Sequence, residues 1–206
     1  MTPVALRPAE PADSEFCFQL HKAAMGDYIA AIWGWDEQRQ RDFHARSFNP
    51  GRWQIITADG TDIGMIDVEY RLTEIYLSRI EILPSHQGHG IGTRLISSLI
   101  EEAAHKGQDL VLDVLTVNHR ALGLYQRLGM REVARHGDND IKITMRLTQH
   151  PPAGEPGRLG LEPRIGGYQP RARRGSTMRE AFPPSPQMSH QTGHSFSEGG
   201  VRDTST

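Results

Sequence analysis

Apolar residues recur along this chain at two spacings, every second position in short runs and every third or fourth in longer ones, and both patterns fade near Gln149. The first spacing reads as strands and the second as helices. Val4 to Arg7 predicts a short strand, and Pro8 to Ala12 a turn. A helix follows with Phe16, Leu20 and Ala23 on one face and Asp13 as its N-cap. A second helix is predicted over Asp36 to Arg46, stopped by Asn49-Pro50-Gly51.

Trp53 to Thr57 and Ile63 to Tyr70 flank Ala58-Asp59-Gly60-Thr61-Asp62, and the Asp-Gly pair predicts a hairpin of two antiparallel strands. Ile75 to Leu83 is a further strand, with Ile80 and Ile82 on one face, Glu81 on the other, and Pro84 as its stop. Ile91, Leu95, Leu99 and Ala103, joined by Ile96 and Ile100, form the apolar face of a helix that Gly107 ends. Leu110 to Leu115 reads as a central strand. Asn118 caps a helix bearing Ala121, Leu124, Tyr125 and Leu128, which ends at Gly129, and two strands near Met130 to Ala134 and Ile141 to Leu147 follow. This order predicts an α/β fold of the α+β type, a mixed sheet of about six to seven strands flanked by about four helices.

The chain has 206 residues, 37% of them hydrophobic, and a net charge of -2. That length supports one domain with a sizeable core, here residues 1 to 148, and leaves extra chain. Residues 149 to 206, rich in Pro, Gly, Arg and Ser, are expected to be disordered, because so few apolar residues cannot offset the entropy of ordering. Arg171, Arg173 and Arg174 make a basic cluster, yet the tail is nearly balanced in charge. Near-neutral charge argues against a general nucleic-acid surface and favours a small-molecule partner. A single cysteine, Cys17, excludes an internal disulfide and suits a buried thiol in a reducing compartment. The residues from Met1 to Ala12 lack the apolar stretch of a signal peptide, and no segment approaches the length of a membrane span. A cytoplasmic protein is expected.

Glycines at 88, 90 and 92 stand where a strand turns into a helix. Without side chains, backbone N–H groups can converge on an anion near the positive end of the helix dipole. A diphosphate fits such a loop; a glycine-rich turn that merely lets strand and helix pack would read the same way. Two nucleotide motifs fail by spacing: the P-loop lysine is missing after Gly92, and the third glycine comes one residue early for the dinucleotide fingerprint.

Ile80-Glu81-Ile82-Leu83-Pro84, then Gln87-Gly88-His89-Gly90-Ile91-Gly92, and later Val117-Asn118, Ala121, Leu124-Tyr125 and Leu128-Gly129-Met130, together resemble the GCN5-related N-acetyltransferase (GNAT) family. The resemblance is strong over Ile75 to Met130, weaker over the rest of Val4 to Leu147, and absent in the tail. It implies a mostly antiparallel sheet that splays between the strand ending at Leu83 and the strand ending at Thr116, with the pantetheine of acetyl-coenzyme A in the gap. It also implies that Ile82 and Leu83 meet the pantetheine arm, that Gln87, Gly88, His89, Gly90, Ile91, Gly92 and Thr93 hold the diphosphate, and that Asn118 and Tyr125 complete the cofactor site. Met130 stands where the family usually has an aromatic.

Moving an acyl group from a thioester to an amine needs a free-base nucleophile and a proton for the leaving thiolate. With a lysine-like pKa of about 10.4, roughly one amine in a thousand is free base near neutral pH. By resemblance Tyr125 is the general acid, acting within a ternary complex; a core aromatic on the same apolar stripe would look identical. Glu81 is the first choice of base, with Asp67, Glu69, Asp113 or a water relay as alternatives. Asn118 can cap its helix, bind the arm, or both, since 118 and 125 lie about two turns apart.

The segment after the first strand is expected to wall the acceptor site. It holds Tyr28, Trp33, Trp35, Asp36, Glu37 and His44, and Trp33, Trp35, Asp36 and Glu37 would suit a cationic amine. Packing by Trp33 and capping by Asp36 would explain the same residues. His86 and His89 lack a third ligand at a recognisable spacing, so no metal is expected. The acceptor is expected to be the primary amine of a small molecule; a peptide or protein amine, or a silent acyl-coenzyme A sensor, are the other readings. Oligomeric state is open, a homodimer included.

Overall fold

The computed structural model describes residues 3–149; all of the expected tail but Gln149 lies outside them. Seven strands run β1 (Val4–Pro8), β2 (Gln54–Ala58), β3 (Thr61–Tyr70), β4 (Glu74–Ile82), β5 (Asp109–Leu115), β6 (Arg131–His136) and β7 (Lys142–Leu147). Four α-helices accompany them, α1 (Ser14–Trp33), α2 (Glu37–Ser47), α3 (Ile91–Lys106) and α4 (His119–Arg127). The sheet order is β1-β2-β3-β4-β5-β7-β6, and only β4 and β5 pair in parallel. The crossover between them is α3, as a parallel connection requires.

Alternation along the strands sorts the core into two layers. Ile56, Ile66, Leu77, Leu112, Val114 and Met145 pack with Ile96, Leu99 and Ala103 of α3 and Tyr125 of α4 on one face. On the other, Ile55, Met65 and Trp53 meet Cys17 and Leu20 of α1. Cys17 is fully buried, and burial, with the charges of Asp13 and Glu81, pushes its thiol up to about 12. It is a packing residue, as expected.

Most boundaries match the predicted ones, and the differences have local causes. The hairpin turn is tighter than predicted: Asp59 (φ 49) and Gly60 (φ 76) make a two-residue turn, so β3 begins at Thr61. Asp36 caps α2 by accepting from the Arg39 N–H at 3.0 Å, and Asn118 caps α4 by accepting from the Ala121 N–H at 3.1 Å. Asp13 does not cap α1 through its side chain. Its carboxylate instead accepts from the Glu10 N–H at 2.7 Å and holds both terminal nitrogens of Arg7 at 2.8 Å. A bidentate arginine is the stronger partner for a carboxylate.

The sheet is open at its centre. β4 and β5 pair from Glu74↔Asp109 to Leu77↔Leu112 and no further. At that point β4 carries an extra residue: Val68 faces Leu77 and Asp67 faces Arg79, leaving Ser78 without an opposite number on β3. Such a bulge bends the strand that carries it. Beyond it, residues 79–82 follow β3, while Asp113, Val114 and Leu115 stay with β7. The divergence is the splay that the resemblance implies.

Close approach of β3 to the bent strand depends on Gly64. A Cβ there would sit 2.6 Å from the Glu81 carbonyl oxygen. Gly64→Ala is expected to lower unfolding free energy by about 1–3 kcal/mol through forced backbone displacement. Urea titration of the variant against the parent protein measures it.

Candidate active site

Where the strands part, two adjoining chambers form. The larger, about 370 Å³, is lined by Ile82 of β4, His86, Gln87, Gly88 and Gly90 of the following loop, the first turn of α3, and Asn118, Arg120, Leu124 and Tyr125 of α4 or its cap. The smaller, about 90 Å³, lies between the parted strands and is lined by Ser78, Arg79 and Glu81 of β4, Asp113 and Leu115 of β5, and Lys142 of β7. Ile80, Glu81, Asn118, Ala121 and Tyr125 line both.

The loop has the features of an anion cradle. Gly88 (φ 86) and Gly90 (φ 76) adopt left-handed backbone conformations, which L side chains resist. Arg94 N–H makes the first helical bond, to the Gly90 carbonyl at 3.0 Å. Among the described residues, the N–H groups from Gly88 to Thr93 have no acceptor in the loop. They cluster at the N-terminus of a 16-residue helix, where the dipole favours negative charge.

Gln87 braces this loop at both ends. Its amide donates to the Ile82 carbonyl at 2.8 Å and accepts from Arg120 Nη1 at 2.8 Å. Leu83 N–H donates to the Ile63 carbonyl at 2.8 Å, toward β3. Because successive backbone groups of a strand point to opposite edges, those of Ile82 point into the splay. Leu83 therefore differs from its expected role: its N–H belongs to the sheet, its side chain packs against the α1 cluster, and it lines neither chamber. His89 is exposed and lines neither chamber as well. Ile82, Gln87, Gly88, Gly90, Ile91, Gly92, Thr93, Asn118 and Tyr125 all line the larger one.

Tyr125 is 7% exposed and joins the two chambers. Burial pushes its phenol up to about 12, so it keeps its proton throughout the neutral range. The Asn118 side-chain oxygen is occupied by its cap, which leaves its amide NH₂ as the group able to meet a ligand.

Glu81 is more constrained than its alternating position suggested. Its Oε1 lies 2.9 Å from both Arg79 Nη1 and His21 Nδ1, and all three residues are buried. Burial pushes the carboxyl up, but His21 and Arg79 outweigh it and the net shift is downward. Since folding lowers this group, its stabilising contribution is full at neutral pH and is lost as the pH falls below the ordinary carboxylate range. Glu81→Gln leaves Arg79 buried without its counter-charge, and a loss of about 3–5 kcal/mol in stability at neutral pH is expected. The gap between variant and parent, followed by urea unfolding at descending pH, should narrow in acid. Of the alternative carboxylates, Asp67 is paired with Arg52 and Glu69 with Arg52 and Arg71, and neither lines a chamber; Asp113 does.

The aromatic segment expected to wall the acceptor lies elsewhere. Asp36 caps α2, Glu37 accepts from Lys22 and from the Trp35 indole at 2.8 and 2.9 Å, and Trp35 packs beside Gly26. None of Trp33, Trp35, Asp36 and Glu37 lines either chamber. His44 is buried between Phe18, Phe48 and Trp53. From that stretch only Tyr28 reaches the larger chamber, with Ala24 and Met25 of the same helix. Residues not anticipated from the sequence are Arg120, beside the loop, and Arg79 and Lys142, in the smaller chamber. Arg120 stands next to the recognised Asn118 and Ala121, and Arg79 lies two residues before Glu81 on one strand face, both usable signals; Lys142 offered none, because its placement depends on strands meeting. No helix among the described residues is long and apolar enough to cross a membrane.

A family model described as the acetyltransferase (GNAT) family matches residues 16–130. Thialysine N-epsilon-acetyltransferase of Mus musculus is 34% identical over 91 residues, covering 39% of this chain and 54% of that protein. The chain thus spans about half the length of the curated relatives it matches. In fold it is similar to PaiA N-acetyltransferase from Thermoplasma acidophilum, solved in complex with coenzyme A, at 17% identity and a TM-score of 0.58 over 71% of this chain and 99% of that one. It is also similar to the ribosomal-protein-S18-alanine N-acetyltransferase from Escherichia coli, at 22% identity and a TM-score of 0.51 over 76% and 100% of the two chains.

Proposed function

Because this chain belongs to the acetyltransferase (GNAT) family, we propose that it transfers an acetyl group from acetyl-coenzyme A to a primary amine of a small molecule. The observation that carries this reading is that Tyr125 and Asn118 form a wall common to the two chambers, with a cradle of N–H donors along the larger one. The loop donors and Arg120 suit a diphosphate, and the Ile82 N–H, facing the splay beside a carbonyl that Gln87 holds, suits a carbonyl of a pantetheine arm. Acetyl-coenzyme A supplies the thioester, at whose carbonyl carbon the amine nitrogen replaces the thiolate.

The chain's own residues then have separable tasks. Tyr125 donates to the departing sulfur. Glu81, kept anionic by Arg79 and His21, attracts and orients the ammonium of the acceptor. A chamber of about 90 Å³ admits the tip of an alkylamine and little more, which favours an unbranched primary amine. The thialysine acetyltransferase of Mus musculus supports a small amine acceptor.

A thiol-release assay with acetyl-coenzyme A tests the reading against amino acids, polyamines, aminoglycosides and short peptides. Turnover with one or more small amines, above that with peptides, is expected. Tight coenzyme A binding with no turnover anywhere in the panel would sink it in favour of a sensor, and turnover confined to peptides would move the acceptor to proteins.

A further inference from the structure

Acceptance by an alkylammonium requires that one proton leave the smaller chamber before the nitrogen can attack. Two carboxylates line that chamber, Glu81 and Asp113, and they differ in what surrounds them. A proton placed on Glu81 would disrupt its hydrogen bonds to the Arg79 guanidinium and to His21, both buried beside it. It would also have no exposed neighbour to go to.

Asp113 is tied outward. Its Oδ2 accepts from the Tyr76 hydroxyl of β4 at 3.0 Å, its Oδ1 accepts from the Thr144 hydroxyl of β7 at 2.7 Å, and the same Oδ1 lies 3.1 Å from Nε2 of His136 on β6. The Asp113 side chain is 9% exposed and that of His136 is 25% exposed, so the pair spans from chamber to surface. Lys142 of β7, whose ammonium burial pushes down against the pull of Asp113, and Arg79 and Glu81 of β4 line the same chamber, and Arg71 stacks 3.9 Å over the Tyr76 ring. Burial and the Asp113 charge push the Tyr76 phenol up, so Tyr76 stays a donor and takes no part in the traffic.

We propose that Asp113 receives the proton of the acceptor ammonium and passes it to His136, which releases it to solvent at the outer edge of the sheet. With His136 starting as the Nδ1–H tautomer, the N–H bond of the ammonium breaks as an O–H bond forms on Asp113; that bond breaks as Nε2–H forms on His136; the imidazolium then loses its Nδ1 proton to water, and proton exchange of the part-exposed ring with solvent restores the Nδ1–H tautomer before the next turnover. Histidine is suited to this cycle because its proton exchanges in the neutral range. The assignment rests on the acetyl-transfer reading and adds the exit route to it.

The test uses the full chain, acetyl-coenzyme A and an amine that the panel shows to be acetylated, over about pH 6 to 9. His136→Gln is expected to lower kcat about tenfold or more with KM for acetyl-coenzyme A unchanged, and added imidazole to restore much of the loss. Asp113→Asn is expected to lose about 10²-fold, without rescue by imidazole. Melting temperatures check folding; should the asparagine variant fail to fold, the glutamine variant and its rescue decide alone. Parental kcat in His136→Gln across the pH range, or a loss that imidazole does not repair, overturns the relay. A parent protein that acetylates nothing in the panel overturns the acetyl-transfer reading, and the relay with it.

Discussion

Replacing Tyr125 with phenylalanine is expected to lower kcat about 10²-fold while leaving KM for acetyl-coenzyme A nearly unchanged. The size follows from what this phenol can do. Its pKa is pushed up to about 12, whereas a thiol titrates near about 8.5, so complete proton transfer to the thiolate would be uphill by roughly 5 kcal/mol. Tyr125 is therefore better suited to donate a hydrogen bond to charge developing on sulfur than to surrender its proton outright. A hydrogen bond to a charged group contributes about 1.5–3 kcal/mol, which brackets the expected factor. Among the described residues the hydroxyl makes no other hydrogen bond, so the donor is available. Steady-state kinetics measures the effect, and a phenylalanine variant with parental kcat would leave Tyr125 as a packing residue.

Gly90→Val is the second large effect, and it should fall on cofactor affinity. An added Cβ meets nothing within 4 Å, so the first atom of the side chain is not crowded. The cost is in the backbone: φ is 76, and a side chain there costs about 1–2 kcal/mol, more when β-branched. The loop can relieve the strain by rotating to negative φ, which turns the N–H groups of Gly90 and its neighbours away from the diphosphate. Either way KM for acetyl-coenzyme A should rise about tenfold or more, with a similar loss in coenzyme A affinity by calorimetry and a smaller change in kcat. Coenzyme A binding at parental strength would remove the loop from the site.

Local features were legible to the extent that neighbours in sequence are their cause. Alternation placed the strands. The caps at Asp36 and Asn118, the turn at Asp59-Gly60 and the stop at Gly107 depend on a few adjacent residues, and all four occur. Asp13 shows the limit of local reasoning: a suitable N-cap residue was drawn into a bidentate pair with Arg7, which also binds Asp62 of the facing hairpin. Trp35 and Glu37 looked like an acceptor wall by composition, yet they are satisfied by each other and by Lys22. Composition cannot say which way a side chain points.

By itself the sequence determined the order of elements, the sorting of apolar residues to two faces, and the loop from Gln87 to Gly92, because helix periodicity, strand alternation and glycine's access to positive φ act over a few residues. Tertiary structure alone decided at which residue the two strands part, through the unpaired Ser78 on β4. It also decided what Glu81 can do, through His21, sixty residues away in sequence, and Arg79. A carboxylate's chemistry is set by the groups within a few ångströms of it: Arg79 sits two residues away on the same strand, but His21 arrives from α1, and the strand alone could not supply it.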